Sequence, residues 1–124
     1  MRLLLDSHVV LWWQTEDKLL KADAKKAIAT ADIVWVSAAT ACEVAIKLSQ
    51  KRLRIREPLR VTIGIDDFTE LPVTVQHAEQ LALLPYHHTD PFDRILLAQA
   101  AVEGATIVTH DRAFAAYGLP VIWT

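Results

Sequence analysis

The sequence predicts an α/β fold in which a parallel sheet is covered by helices on both faces. Three observations lead there: short apolar runs that do not alternate with polar residues, stretches of helical periodicity between them, and regular alternation of the two along the chain. Met1–Leu5 opens with an apolar run of the buried-strand kind. Asp6-Ser7 follows and can cap a helix from about His8 to Trp13. Ala22–Ala31, rich in Ala and Lys, reads as a second helix, and Ile33–Val36 as the second strand. Ser37 then caps a helix reaching about Lys51, with apolar positions Ala41, Val44, Ala45 and Leu48 on one face. Arg52–Pro58 reads as a loop. Val61–Phe68 is ambiguous, because its β-branched residues sit in a weak helical context. Leu71-Pro72-Val73 reads as a short edge strand, since its proline lacks an amide donor. A helix over Val75–Leu84 and a loop over Pro85–Asp90 come next. The helix Pro91–Glu103 has Pro in its first position and Gly104 past its end. Thr106–Thr109 is a strand, Asp111–Tyr117 a short helix, and Val121–Trp123 the last strand. No repeat, linker or low-complexity tract interrupts the pattern, so residues 1–124 read as a single domain.

Composition narrows the function. Of the 124 residues, 52% are hydrophobic and 23% charged, a globular balance rather than a disordered one. One cysteine, Cys42, excludes an internal disulfide and a cysteine-built metal site, and fits a reducing, cytoplasmic setting. The apolar start is broken at Asp6, too early for a signal peptide or a membrane span. A formal charge of −2 argues by itself against a polyanion binder. Its distribution argues otherwise: six of thirteen basic residues, Lys47, Lys51, Arg52, Arg54, Arg56 and Arg60, lie in one stretch opposed only by Glu57. Such a stretch beside a cation-neutralised acidic pocket can follow a nucleic-acid backbone, and otherwise it is a solvated loop.

The carboxylates carry the chemistry. Open α/β sheets bind ligands beyond the carboxyl ends of their strands. Asp6 follows the first strand directly, and Asp111 stands two residues past Thr109. Glu43 lies about two turns into the helix after the second strand, and Asp90 and Asp93 straddle the start of the helix from Pro91. Each has an ordinary structural role open to it. Asp6 and Asp111 can cap helices, Asp90 and Asp93 can form a capping box, and Glu43 can pair with Lys47 one turn on. Together at one sheet edge, however, the acids would repel unless cations sat among them, and hard oxygen donors suit Mg²⁺ or Mn²⁺. Such ions activate water and stabilise a reacting phosphoryl group. Arg94 and Arg112 flank these acids as prospective ion-pair partners. The five histidines show no zinc spacing, and His87-His88 reads as a surface or supporting feature. No GxSxG, Walker A or GxGxxG motif is present, and the three glycines, Gly64, Gly104 and Gly118, lie too far apart to build the latter two.

Four segments resemble a known family. LLLDSHVVLWW is similar to the first motif of PIN domains, in particular the VapC-type toxins of bacterial toxin–antitoxin pairs. VSAATACEVAIK resembles their second motif, HHTDPFDRILLAQA the third motif of one subgroup, and IVTHDRAFAAYGLPVIW the C-terminal strand, fourth acid and last strand. The resemblance runs in order along nearly the whole chain. It implies a PIN-like three-layer α/β/α sandwich with a central parallel sheet of four to five strands. It also implies hydrolysis of RNA phosphodiesters with Mg²⁺ or Mn²⁺, a cognate antitoxin and a homodimer. Carried over by residue, Asp6, Glu43 and Asp93 would be the core metal ligands and Asp111 the fourth acid. Thr109 and Ser7 would support them from the pocket wall. Asp90 is an extra acid of the subgroup and competes with Asp93 for third place. Asp93 is favoured because it stands five residues before the small Ala98. The basic residues Lys47, Lys51, Arg52, Arg54 and Arg56 would contact RNA.

Trp12 and Trp13 are adjacent on the first helix and so point about 100° apart. One ring is expected in the core and the other partly exposed, where it could anchor the antitoxin or a second subunit. The rival reading is a receiver-like Mg²⁺-binding signalling module. It would need paired acids after the first strand and an acid after the middle strand, where this chain has Asp6-Ser7-His8 and Thr74.

Overall fold

In the computed structural model, which describes residues 1–124, five parallel strands form one sheet in the order β3-β2-β1-β4-β5. The strands are β1 (Arg2–Leu5), β2 (Ile33–Ser37), β3 (Thr69–Leu71), β4 (Thr106–Thr109) and β5 (Val121–Trp123). Six α-helices connect them: α1 (Ser7–Thr15), α2 (Ala22–Thr30), α3 (Ala38–Ser49), α4 (Leu59–Ile65), α5 (Val75–Leu83) and α6 (Pro91–Glu103). A 3-10 helix (Arg112–Tyr117) joins β4 to β5.

The central strand shows why the sheet is covered on both sides. Leu3, Leu4 and Leu5 are all fully buried. Successive strand side chains point to opposite faces. Leu3 and Leu5 accordingly pack with Val9, Val10, Ala24, Ile28, Val44 and Leu59 from α1–α4. Leu4 joins Leu96, Leu97 and Ala100 of α6 and Phe114 of the 3-10 helix on the other side. Two apolar cores thus sandwich the sheet, as expected for three layers.

Several boundaries differ from the sequence reading. Val61–Phe68, ambiguous in sequence, is mostly helix α4. Buried Thr62 holds it there: its hydroxyl donates to Glu57 Oε1 at 2.9 Å and accepts from Gln14 Nε2 at 2.8 Å. Strand β3 lies two residues earlier than expected. Its pairing runs from Trp35↔Thr69 to Ser37↔Leu71, and Pro72 falls just outside the ladder. It is an edge strand, as the proline suggested. The segment after Asp111 is 3-10 rather than α-helical, since only six residues separate the capping Asp111 from Gly118, whose φ of 66° stops the helix.

The strand order reverses direction between β1 and β4, which makes their carboxyl ends a topological switch point. The receiver-like rival belongs to the other doubly wound order, with β1 and β3 as neighbours, and is set aside by this topology.

Candidate active site

Asp6, Glu43, Asp90, Asp93 and Asp111 line one cavity of about 450 Å³ at that switch point. Ser7, His8, Trp12, Lys47, His110 and Arg112 complete its wall. Parallel strands deliver Asp6 and Asp111 to the same edge. Helices α1 and α3 begin there, and α6, running back against the sheet, has its first turn there. The local roles read from sequence coexist with this convergence. Asp6 accepts from the Ser7 amide at 2.6 Å. Asp111 Oδ1 accepts from the Ala113 amide at 2.9 Å. Glu43 pairs with Lys47 at 3.2 Å.

Asp6 is the best-fixed acid and almost fully buried. Thr109 donates its hydroxyl to Asp6 Oδ2 at 2.7 Å and accepts the Asp111 amide at 3.0 Å, so one side chain ties two acids together. Ser7 does the same for α3, its hydroxyl donating to Glu43 Oε1 at 2.5 Å. Burial is the main cause that pushes the Asp6 carboxyl above its ordinary range, against the lowering effect of the Thr109 hydrogen bond.

Asp90 and Asp93 divide their labour. Asp90 Oδ1 accepts the amides of Phe92 at 2.8 Å and Asp93 at 3.2 Å, which makes Asp90 the N-cap of α6. The expected reciprocal half of the capping box is missing, because the Asp90 amide donates to His88 Nδ1 and not to Asp93. Asp93 instead turns into the cavity. Burial, then the nearby Asp6 and Asp90, push its carboxyl up to about 7. A buried site that gathers carboxylates in this way holds them more easily when a cation lies among them. Its donors are hard oxygens, and Cys42 is not among the lining residues. This donor set fits a divalent cation of the Mg²⁺ or Mn²⁺ kind.

The PIN domain family profile matches residues 3–119. This chain belongs to the PIN domain family. A relative in Mycobacterium tuberculosis, named Ribonuclease VapC22, is 33% identical over 112 residues, which are 88% of this chain and 86% of the relative. Two solved structures share the fold at low identity. One is VapBC2 from Rickettsia felis bound to a promoter DNA fragment, with a TM-score of 0.77, 14% identity and coverage of 98% of both chains. The other is FitAcB from Neisseria gonorrhoeae, with a TM-score of 0.67, 18% identity and coverage of 97% of this chain and 96% of that one. Metal dependence is typical of PIN domains.

Within this PIN domain the other sequence candidates have distinct fates. Lys47 reaches the cavity, and Lys51, Arg52 and Arg54 are exposed outside it. Arg56 is committed to the fold, its guanidinium donating to the Gln14 carbonyl at 3.0 Å. Arg94 and Arg112 are not ion-pair partners of the acids. Arg94 is buried and donates to the carbonyls of Pro85 and Leu81, and Arg112 stacks over the Trp123 ring at 4.4 Å. The two tryptophans do not split into one core and one exposed ring. Both are half-buried: Trp13 packs on Phe68, and Trp12 stands at the cavity wall edge-on to His110. His88, read from sequence as a surface or supporting feature, stands beside two of the acids. Its Nε2 lies 3.0 Å from Asp93 Oδ2 and 3.3 Å from Asp111 Oδ2.

Proposed function

We propose that this PIN domain is a divalent-metal-dependent endoribonuclease and the toxin of a toxin–antitoxin pair, working in the cytoplasm as one domain over residues 1–124. The observation that carries this reading is the meeting of five carboxylates in one cavity, with the Asp93 carboxyl pushed up to about 7 by burial and by the neighbouring Asp6 and Asp90. The ribonuclease name and 33% identity of the mycobacterial relative support RNA as the substrate.

Asp6, Glu43 and Asp93 would hold Mg²⁺ or Mn²⁺, with Asp111 the fourth acid at the more open side. The bound ion supplies an activated water and neutralises charge on the phosphoryl group. The chain's own residues do the rest. Thr109 and Ser7 keep Asp6 and Glu43 in place, so the carboxylates need little reorganisation when a phosphate arrives. The amino ends of α1, α3 and α6 present their positive ends to an anion at the same edge. Lys47 adds a mobile positive charge beside Glu43. Hydrolysis would form a P–O bond from the water oxygen as one ester P–O bond of the RNA backbone breaks, and the proton that the water gives up would end on the departing ribose oxygen.

The partners follow from the same kinship. A cognate antitoxin and a second copy of this chain are the proposed associates, with Trp12 and Trp13 as candidate anchors. For the metal, Mn²⁺ or Mg²⁺ should raise the melting temperature of the wild-type protein by binding its native state, and Asp6→Asn should remove both that gain and RNA cleavage. A full thermal gain in Asp6→Asn, read by differential scanning fluorimetry, would take Asp6 out of the ligand set.

A further inference from the structure

We propose that His88 is a positioning residue of the active site, an imidazole whose Nε2–H orients Asp111 beside Asp93 for the cation without binding it. The inference rests on the reading of those acids given above and adds a residue to it.

The tautomer follows from the hydrogen bonds. The Asp90 amide has only a proton to offer, and it points at His88 Nδ1 at 3.3 Å. Nδ1 is therefore the unprotonated nitrogen, and the ring proton resides on Nε2. That Nε2–H donates to Asp111 Oδ2 at 3.3 Å, and Nε2 lies 3.0 Å from Asp93 Oδ2. A nitrogen that carries its proton has no lone pair for a metal. His88 thus cannot serve as a ligand in this arrangement, although its Nε2 lies within ligand distance of two acids. What it can do is satisfy one oxygen of Asp111 while the same ring edge stands against Asp93 Oδ2. No protein hydrogen bond reaches Asp93 Oδ1, which stays available to the cation.

The ring is held for this task. The His88 amide donates to the Tyr117 hydroxyl at 2.8 Å, and the ring meets Phe114 edge-on at 6.0 Å. Buried Arg94 braces the same loop through the Pro85 carbonyl at 2.9 Å and the Tyr117 hydroxyl at 3.4 Å. Arg94 lies directly after Asp93, so the turn of α6 that presents the acid also anchors the loop that orients it. Partners that orient metal ligands in this way typically change metal affinity by about 10–100-fold when removed.

Two measurements test the assignment. In the metal-free wild-type protein, long-range ¹H–¹⁵N spectra of the histidine rings should show Nε2 of His88 protonated and Nδ1 unprotonated. The resonance is assigned by its loss in His88→Gln, and a protonated Nδ1 overturns the proposal. Mn²⁺ binding is then titrated calorimetrically. Gln places its amide nitrogen near the position of Nε2, whereas Asn places it near Nδ1. His88→Asn and His88→Ala should bind Mn²⁺ about 10–100-fold more weakly than wild type. His88→Gln should recover at least about fivefold over Asn, and Gln no better than Asn overturns the donor role. A directly bound nitrogen in the electron spin-echo spectrum of the Mn²⁺ protein would overturn it too. Asp93→Asn serves as the control. Should it bind Mn²⁺ like wild type, the acids were misread, while the ring spectra still decide the tautomer.

Discussion

Asp93 and Asp90 sit three residues apart and differ in what holds them. Asp90 spends its oxygen on two backbone amides, whereas Asp93 is turned into the cavity among like charges. Asn caps a helix nearly as well as Asp. Asp90→Asn should therefore keep most of the fold stability and much of the cleavage, and Asp93→Asn should keep the fold but lose cleavage. The reverse pattern in an RNA cleavage assay would exchange their roles. The pH dependence follows from the same residue. Its folded-state pKa of about 7 lies above the ordinary 3.8, so between these values the native state binds more protons than the unfolded chain. Stability contributed by this group is thus lost as pH rises from about 4 to about 7. The metal-free protein should melt at a lower temperature at pH 8 than at pH 5.5, with Asp6 acting in the same direction. Asp93→Asn should flatten that slope and raise the melting point at pH 8. Because a ligand must shed its proton, Mn²⁺ should stabilise the wild type more at pH 8 than at pH 5.5. Thermal melts across pH, with and without Mn²⁺, check both signs, and an equally steep slope in Asp93→Asn would place the raised acid elsewhere.

At the scale of elements, α1 carries two tryptophans on neighbouring positions with different surroundings. Trp13 packs against Phe68 and the core under α4, while Trp12 meets His8 and His110 at the cavity wall. Truncating Trp13 leaves a cavity that α4 and Phe68 cannot fill, so Trp13→Ala should cost about 2–4 kcal/mol in chemical denaturation. Trp12→Ala should cost less stability and weaken antitoxin or dimer association. Sedimentation and fluorescence titration with the partner check this, and unchanged association in both mutants would confine the pair to folding. The elements most legible in the sequence were those with local signals: the Leu3–Leu5 run, the Ser37 cap, and α6 between Pro91 and Gly104. Helix α4 was not legible, because what fixes it is the bond of Thr62 to Gln14, 48 positions away. The acids were readable from their places after strands and helix starts. For His87-His88 a supporting role was readable but not which acid it serves, since the meeting of His88 with Asp111 across 23 positions depends on how the Pro85–Asp90 loop is braced. Arg94 misled for the complementary reason. Its place beside an acid suggested an ion pair, but the folded chain buries it against backbone carbonyls and the Tyr86 ring.

Across the whole molecule, charge is segregated rather than balanced. A net charge of −2 conceals an acidic cavity and a basic stretch that leaves it along the chain from Lys47. Lys47 faces Glu43 and Arg56 is tied to Gln14, which leaves Lys51, Arg52, Arg54 and Arg60 exposed, the first three clustered close behind α3 and able to follow an RNA backbone on its way to the acids. Polyanion binding of this kind releases counterions, and each phosphate neutralised on a single strand steepens the log–log dependence of affinity on salt by about 0.7. Replacing Lys51, Arg52 and Arg54 together by Ala should therefore reduce the magnitude of that slope by about 2. The three are surface residues, so the melting temperature should move little. The measurement needs RNA that binds without being cut. Fluorescence anisotropy of a labelled single strand in the Asp93→Asn background provides it, with and without the triple substitution, over a range of salt concentrations. The affinities should converge at high salt, where backbone contacts are screened out. If the slopes coincide, the basic stretch is only a solvated surface, and RNA reaches the acids along another path, past Trp12, His110 and Arg112 at the cavity wall.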